Sequence, residues 1–171
     1  MPAKIIDGRS IAAGIRENVA KEIKRLKGIA PGLAVVLVGD DPASKVYVGM
    51  KKKACDAVGI YSQEHILSGA TSQRELLELI STLNKEPRIS GILVQLPLPD
   101  HIDEKEVLRA VDPRKDVDGF HPVNVGSLTV GARTFAPCTP AGIIELIKST
   151  GVDIKGKRAV EIGRASCRER V

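Results

Sequence analysis

Short runs of aliphatic residues that alternate with segments of helical periodicity constrain the fold of this chain most strongly. The run at 33–38, Leu-Ala-Val-Val-Leu-Val, is apolar throughout, as expected for a strand covered on both faces. A second run begins at Gly91 and leads into two prolines, while residues 60–67 alternate roughly. This alternation predicts an α/β fold of three layers, in which helices flank a mostly parallel sheet.

The segments between the strands carry apolar residues at helical spacing, together with residues that begin or end helices. The predicted helices cover 9–27, Ser44 to a stop at Gly59, Thr71 or Ser72 to about 84, 104–110 after a cap at Asp103, and 141–150. Ser44 and Thr139 are predicted as N-caps of the second and last helices, with Pro140 in the first helical position of the latter. Ser72 and Glu75 have the spacing of a capping box at the third helix. The pattern changes from Asp112 to Pro140, and the polar stretch 112–127 within this segment is predicted to be a long functional loop.

Composition limits the classes of partner. The chain has 171 residues, 43% of them hydrophobic, but only two Tyr, two Phe and no Trp, so its core has to be aliphatic. The net charge of +5 comes from basic residues interleaved with acidic ones, without an aromatic groove. We therefore expect no nucleic-acid partner and favour an anionic small molecule.

Cysteine and histidine usage points to a reducing compartment and away from metal. The three cysteines, at 55, 138 and 167, are widely spaced, and the histidines are scattered. We find neither a signal peptide nor an apolar stretch long enough to span a membrane. The expected location is the cytoplasm, with no metal site and no membrane partner.

The predicted second helix places Tyr47 and Lys51 four residues apart, on one face. An aromatic ring one turn before an amine suits a flat ligand with a reactive centre. Because burial lowers the pKa of a lysine side chain, such a residue can carry protons near neutral pH. The alternative is that 51–53, three consecutive lysines, is simply a solvated helix face; only Lys51 shares the face of Tyr47.

Two further candidates fall where parallel strands should end, which is where ligands bind in such sheets. Gln95 is a polar residue in an apolar run and needs a partner, either a lysine, a ligand, local backbone or solvent. Asp116 and Asp118 lie in the long loop, although Asp118-Gly119 is also ordinary turn chemistry.

Four motifs give the chain a resemblance to a known family. They are Tyr-Val-Gly-Met-Lys-Lys-Lys-Ala at 47–54, Gly-Ile-Leu-Val-Gln-Leu-Pro-Leu-Pro at 91–99, Lys-Asp-Val-Asp-Gly-Phe-His-Pro-Val-Asn-Val-Gly at 115–126 and Pro-Cys-Thr-Pro-Ala-Gly at 137–142. In this order and spacing they resemble the bifunctional methylenetetrahydrofolate dehydrogenase/methenyltetrahydrofolate cyclohydrolases. The resemblance covers about residues 3–160.

The resemblance implies an enzyme of one-carbon metabolism. Members of this family oxidise 5,10-methylenetetrahydrofolate with NADP, hydrolyse the methenyl product to 10-formyltetrahydrofolate, and form homodimers. By resemblance, Lys51 is the catalytic lysine and Tyr47 stacks on the folate substrate. Gln95 then bonds and tunes the lysine, and Asp118 holds the pterin. The resemblance adds two residues that line the same site, Val94 and Leu96.

The resemblance also divides the chain. It implies a folate-binding catalytic domain at 1–137 and, at 138–171, the truncated start of a Rossmann-type NADP-binding domain. Gly163 and Arg164 match the cofactor motif of the family, whereas Ala165 replaces a serine; these are the candidate NADP-binding residues. Nothing after Arg164 resembles the family, and we expect 161–171 to be foreign to the gene. The alternative function is a folate-binding fragment without redox activity.

Overall fold

The structure is a computed structural model that describes residues 5–28, 30–158 and 160. Within these residues, strands β1 (Gly32–Val38), β2 (Tyr61–Leu67) and β3 (Gly91–Val94) form one parallel sheet in the order β2-β1-β3. The helices are α1 (Gly8–Arg25), α2 (Pro42–Val58), α3 (Gln73–Lys85), α4 (Glu104–Ala110), α5 (Pro122–Thr129) and α6 (Cys138–Ser149). The predicted α/β fold, a parallel sheet flanked by helices, is confirmed.

Both faces of β1 are covered, which explains why every residue of its central run is apolar. On one face the sheet packs on α3 and α4, through a buried cluster that comprises Ala34, Val36, Val38, Leu76, Ile80, Leu83, Ile89, Ile92, Val94, Ile102, Val107 and Val111. On the other face, Val35 and Leu37 pack against Val48 of α2. The core is aliphatic, as the composition predicts.

Helix α2 begins earlier than predicted. Asp41 is its N-cap and accepts the N–H of Ser44 at 2.7 Å, and Pro42 occupies the first helical position. The prediction of Ser44 as the cap was therefore wrong, because the Asp-Pro pair before it begins the helix. Gly59, with a φ of 86°, ends the helix as predicted.

The caps of the other helices confirm some of the predictions and contradict one. Ser72 and Glu75 form a reciprocal capping box at α3, and Asp103 caps α4, as predicted. The prediction for α6 was wrong, because Pro137 occupies the cap position and Cys138 is the first helical residue. Helix α1 is capped by Asp7 and ends two residues before the predicted boundary at Lys27.

The segment 112–140 is more regular than a structureless loop. Helix α5 lies within it, and the ring Nδ1 of His121 accepts the N–H of Val123 at 3.1 Å to cap that helix. Asp116 forms an isolated parallel bridge with Ile92 at the free side of β3. The prediction of one long loop was wrong for this helix, whose eight residues show little amphipathic periodicity.

Helix α6 exposes apolar side chains. Ile143 and Ile144 are 47% and 39% exposed, while Leu146 and Ile147 are half-buried.

Of the helices that the structure describes, none has the length and apolar character to cross a membrane. The segment 161–171 lies outside the described residues.

Candidate active site

The candidate residues converge at the carboxyl edge of the sheet. Strand β1 leads into α2, which carries Tyr47 and Lys51, and β3 leads directly into Gln95. The bridge between Asp116 and Ile92 brings the neighbouring segment to the same edge, two residues before Asp118. Parallel α/β sheets bind ligands at this edge, so the fold places three separate stretches of sequence in position for one site.

A hydrogen bond joins the two central side chains of the site. Lys51 Nζ donates to Gln95 Oε1 at 2.9 Å. The amide of Gln95 is oriented by a second bond, from its Nε2 to the carbonyl oxygen of Leu96 at 2.8 Å. With its nitrogen engaged in this way, Gln95 presents only its oxygen to the lysine.

The three lysines of α2 have different surroundings. Lys51 is half-buried, whereas Lys52 and Lys53 are exposed. Lys52 Nζ lies 2.9 Å from a carboxylate oxygen of Glu64 on β2, and this hydrogen bond raises the pKa of Lys52. Tyr47, one turn before Lys51, is 57% exposed. The tyrosine ring is thus open to a ligand beside the one lysine of the run that reaches Gln95.

Strand β3 ends at Val94. The apolar run that continues through Gln95 in the sequence is therefore not strand at this residue. Its backbone N–H still donates to the carbonyl oxygen of Val36, at 2.8 Å, which ties the residue to β1. The side chain of Val94 is 4% exposed and belongs to the buried cluster that packs on α3. Leu96 is half-buried and contributes its carbonyl oxygen to the orientation of Gln95.

Asp118 and Cys138 complete the charge pattern around Lys51. The thiol of Cys138 lies 3.7 Å from the carbonyl oxygen of Val117. Burial raises the pKa of this thiol, the carboxylate of Asp118 raises it further, and the positive charge of Lys51 opposes both. Lys51 and Asp118 therefore both lie within electrostatic range of Cys138, which sequence reasoning did not single out as a site residue.

A buried carboxylate shapes the loop before Asp118. Asp116 is 5% exposed and accepts the backbone N–H groups of Gly119 and His121, at 3.1 and 2.8 Å. It also accepts a hydrogen bond from Asn124 Nδ2 at 2.9 Å. Sequence reasoning missed Asn124, because no local pattern indicates that its partner lies eight residues earlier.

Two other kinds of site are not supported by the described part of the chain. No group of His, Cys, Asp or Glu side chains within it could hold a metal ion. The candidate NADP residues Gly163, Arg164 and Ala165 lie outside it. The candidate site therefore consists of an aromatic ring, an amine, an amide and a carboxylate at one edge of the sheet.

Comparison with known proteins decides the family. A sequence model described as tetrahydrofolate dehydrogenase/cyclohydrolase, catalytic domain, matches residues 6–118. The chain belongs to this family. The resemblance drawn from the four motifs is thereby confirmed, and the fold seen here is that of the family's catalytic domain.

Individual relatives agree with this assignment. The bifunctional protein FolD of Moorella thermoacetica is 61% identical over 168 residues, which cover 97% of this chain and 60% of that protein. The bifunctional FolD enzyme of Campylobacter jejuni superimposes with a TM-score of 0.88 at 48% identity, over 90% of this chain and 56% of that one. The chain therefore spans about 60% of the length of the relatives that it matches.

A third relative was solved with a cofactor. The methylenetetrahydrofolate dehydrogenase-cyclohydrolase of Trypanosoma brucei, in complex with NADP and an inhibitor, has a TM-score of 0.87 and 38% identity. The match covers 92% of this chain and 55% of that one. The Campylobacter jejuni and Trypanosoma brucei enzymes thus have nearly the same structural likeness to this chain, although one is 48% and the other 38% identical to it.

Proposed function

We propose that this chain binds a tetrahydrofolate derivative at the carboxyl edge of its sheet and supplies the proton-transfer group of the cyclohydrolase reaction. The observation that carries the proposal is the 2.9 Å hydrogen bond between Lys51 Nζ and Gln95 Oε1, one helical turn from the exposed ring of Tyr47. Membership of the tetrahydrofolate dehydrogenase/cyclohydrolase family supports this choice of substrate class.

The proposed binding mode uses each side chain for one task. The ring of Tyr47 stacks against the flat part of the folate, since an open aromatic face gives both contact area and orientation. The carboxylate of Asp118 accepts N–H groups of the pterin, because an ionised carboxylate is an acceptor only. Lys51 then faces the methenyl bridge between the two folate nitrogens, and Gln95 sets the direction of its amine.

The proposed reaction is the hydrolysis of 5,10-methenyltetrahydrofolate. Lys51 takes a proton from water as the water oxygen bonds to the methenyl carbon. The protonated amine then returns a proton to N5 as the bond between that carbon and N5 breaks. The proton of the new hydroxyl group passes to solvent as the formyl C=O forms, which leaves 10-formyltetrahydrofolate. Correctly placed acid–base groups contribute about a hundredfold or more to such steps, and holding the reactants in orientation contributes further.

The oxidation of methylenetetrahydrofolate belongs to the proposal for the whole protein. That step requires NADP to accept a hydride, and the residues matched to an NADP motif, 163–165, lie outside the described part of the chain. We assign no step to NADP here. The alternative, folate binding without redox activity, is separated by following NADPH formation when methylenetetrahydrofolate and NADP are supplied.

Binding of tetrahydrofolate, measured by calorimetry, tests the proposed site. We expect Tyr47→Ala and Asp118→Asn each to weaken binding by about tenfold, the equivalent of roughly 1.4 kcal/mol. Lys53→Ala is the matched control, because it removes a charge from the same helix at an exposed position. Unchanged affinity in both site variants, or an equal loss in the control, would contradict the proposal.

A further inference from the structure

The loop that carries Asp118 is folded around one buried carboxylate. Asp116 is 5% exposed, and its Oδ1 accepts the N–H of Gly119 at 3.1 Å. Its Oδ2 accepts the N–H of His121 at 2.8 Å and Nδ2 of Asn124 at 2.9 Å. Hydrogen bonds to an ionised acceptor are about twice as strong as neutral ones. The three donors therefore hold the loop to the carboxylate firmly.

The backbone donors follow Asp118 directly. Gly119 is its neighbour and His121 lies two residues further on, so the chain turns back onto Asp116 as soon as it has passed Asp118. Gly119 has a φ of +70°, and a Cβ atom there would lie 2.8 Å from the carbonyl oxygen of Phe135. Only glycine fits this close approach, and the path of the backbone through Asp118 is correspondingly restricted.

The segment around Asp116 is anchored on two sides. On the sheet side, the N–H of Ile92 donates to the carbonyl oxygen of Lys115 at 2.7 Å, beside the bridge to Asp116. On the other side, Asn124 Nδ2 also donates to the carbonyl oxygen of Pro113 at 2.9 Å, and its Oδ1 accepts the hydroxyl of Thr134 at 2.7 Å. The loop is thus tied to the strand that leads into Gln95.

From this geometry we propose that Asp116 is a positioning residue, which holds Asp118 in place for the folate without touching substrate itself. The inference rests on the proposed function, since it assigns the support of a residue that binds folate there. Asn124 is the second member of this support, because its amide joins Asp116 to both Pro113 and Thr134.

A double-mutant cycle on tetrahydrofolate affinity tests the inference. Asp116→Asn places an amide nitrogen among N–H donors, and we expect it to weaken binding by about tenfold in the otherwise unchanged chain. Because Asp116 acts through Asp118, the same substitution in an Asp118→Asn background should weaken binding by less than about twofold. Equal losses in the two backgrounds would overturn the inference and leave Asp116 with a purely structural role.

The matched control is Asp112→Asn. Asp112 lies in the same segment, and its carboxylate accepts hydrogen bonds from Arg114 at the surface. The substitution therefore removes a carboxylate whose hydrogen bonds do not reach Asp118. We expect it to leave tetrahydrofolate affinity unchanged, and a loss as large as that of Asp116→Asn would also overturn the inference. Amide hydrogen exchange adds a readout without ligand, since Gly119 and His121 should exchange faster in Asp116→Asn while α3 stays protected.

Failure of the proposed function and failure of the inference about Asp116 give different results. If the unchanged chain does not bind tetrahydrofolate, the proposed function fails and this inference fails with it. If the chain binds and Asp118→Asn weakens binding, but the cycle is additive, only the inference fails. If Asp116→Asn does not fold, Asn124→Ala takes its place in the same cycle, because it removes one donor and leaves the carboxylate; the same non-additivity is expected, and additivity counts against the inference.

Discussion

Lys51 Nζ and Gln95 Oε1 lie 2.9 Å apart, although the residues are 44 positions apart in the chain. Their hydrogen bond connects the middle of α2 to the first residue after β3. Since the other end of the amide donates to the carbonyl oxygen of Leu96, the oxygen of Gln95 has one orientation. The amine is therefore held in one direction at the edge of the sheet, which is what a proton carrier requires.

Gln95→Leu removes that orientation while it keeps most of the side-chain volume. We expect kcat for hydrolysis of methenyltetrahydrofolate to fall by about tenfold to a hundredfold, with a smaller change in KM. Steady-state kinetics of the unchanged chain and of Gln95→Leu measures both constants. Gln63→Leu on β2 is the control, because it removes a glutamine away from the site. A loss confined to KM would show that Gln95 binds substrate and does not orient the lysine.

The reactivity of Cys138 reports on the charges around it without any substrate. The carboxylate of Asp118 raises the pKa of this thiol and the ammonium of Lys51 opposes it. Because the thiolate is the nucleophile, Asp118→Asn should speed alkylation by iodoacetamide at a fixed pH, and Lys51→Met should slow it. Peptide mapping of Cys138 measures both rates. Lys53→Met serves as control, and a change there equal to that of Lys51→Met would contradict the arrangement.

Acid should weaken the fold partly through Asp112. Hydrogen bonds from Arg114 lower the pKa of this carboxyl from its ordinary value of 3.8 to about 2. A carboxyl with a depressed pKa stabilises the folded state above its unfolded pKa, and this contribution is lost as the pH falls from about 4 to about 2. Asp112→Asn should therefore flatten the dependence of Tm on pH in that window. An unchanged slope would mean that the surface pair adds no stability.

Local patterns predicted the parts of the molecule that depend on local physics. The fully apolar run of β1, the capping box at Ser72 and the left-handed stop at Gly59 are each determined within a few residues. The face shared by Tyr47 and Lys51 is of the same kind, since it follows from helical geometry alone. Ser44 was misassigned because the stronger local signal, Asp41 before Pro42, lay just ahead of it.

The parts that were missed depend on contacts between distant segments. Asn124 is buried because it meets Asp116 and Thr134, and nothing in its own neighbourhood indicates this. Cys138 is a site neighbour only because α6 begins beside Val117. Gln95 was recognised as needing a partner, but its place beyond the end of β3 follows from where the ladder to β1 stops. Tertiary packing, which single-sequence patterns do not contain, decides these features.

Hydrolysis of 5,10-methenyltetrahydrofolate by the chain and its lysine variants tests directly whether Lys51 carries the proton. The loss of the methenyl chromophore gives the rate, and Lys51→Met keeps the length of the side chain while it removes the amine. We expect Lys51→Met to lower kcat by about a hundredfold or more, whereas Lys53→Met should leave it within about twofold. Equal rates in the unchanged chain and in Lys51→Met, or equal losses in the two variants, would contradict this role of Lys51.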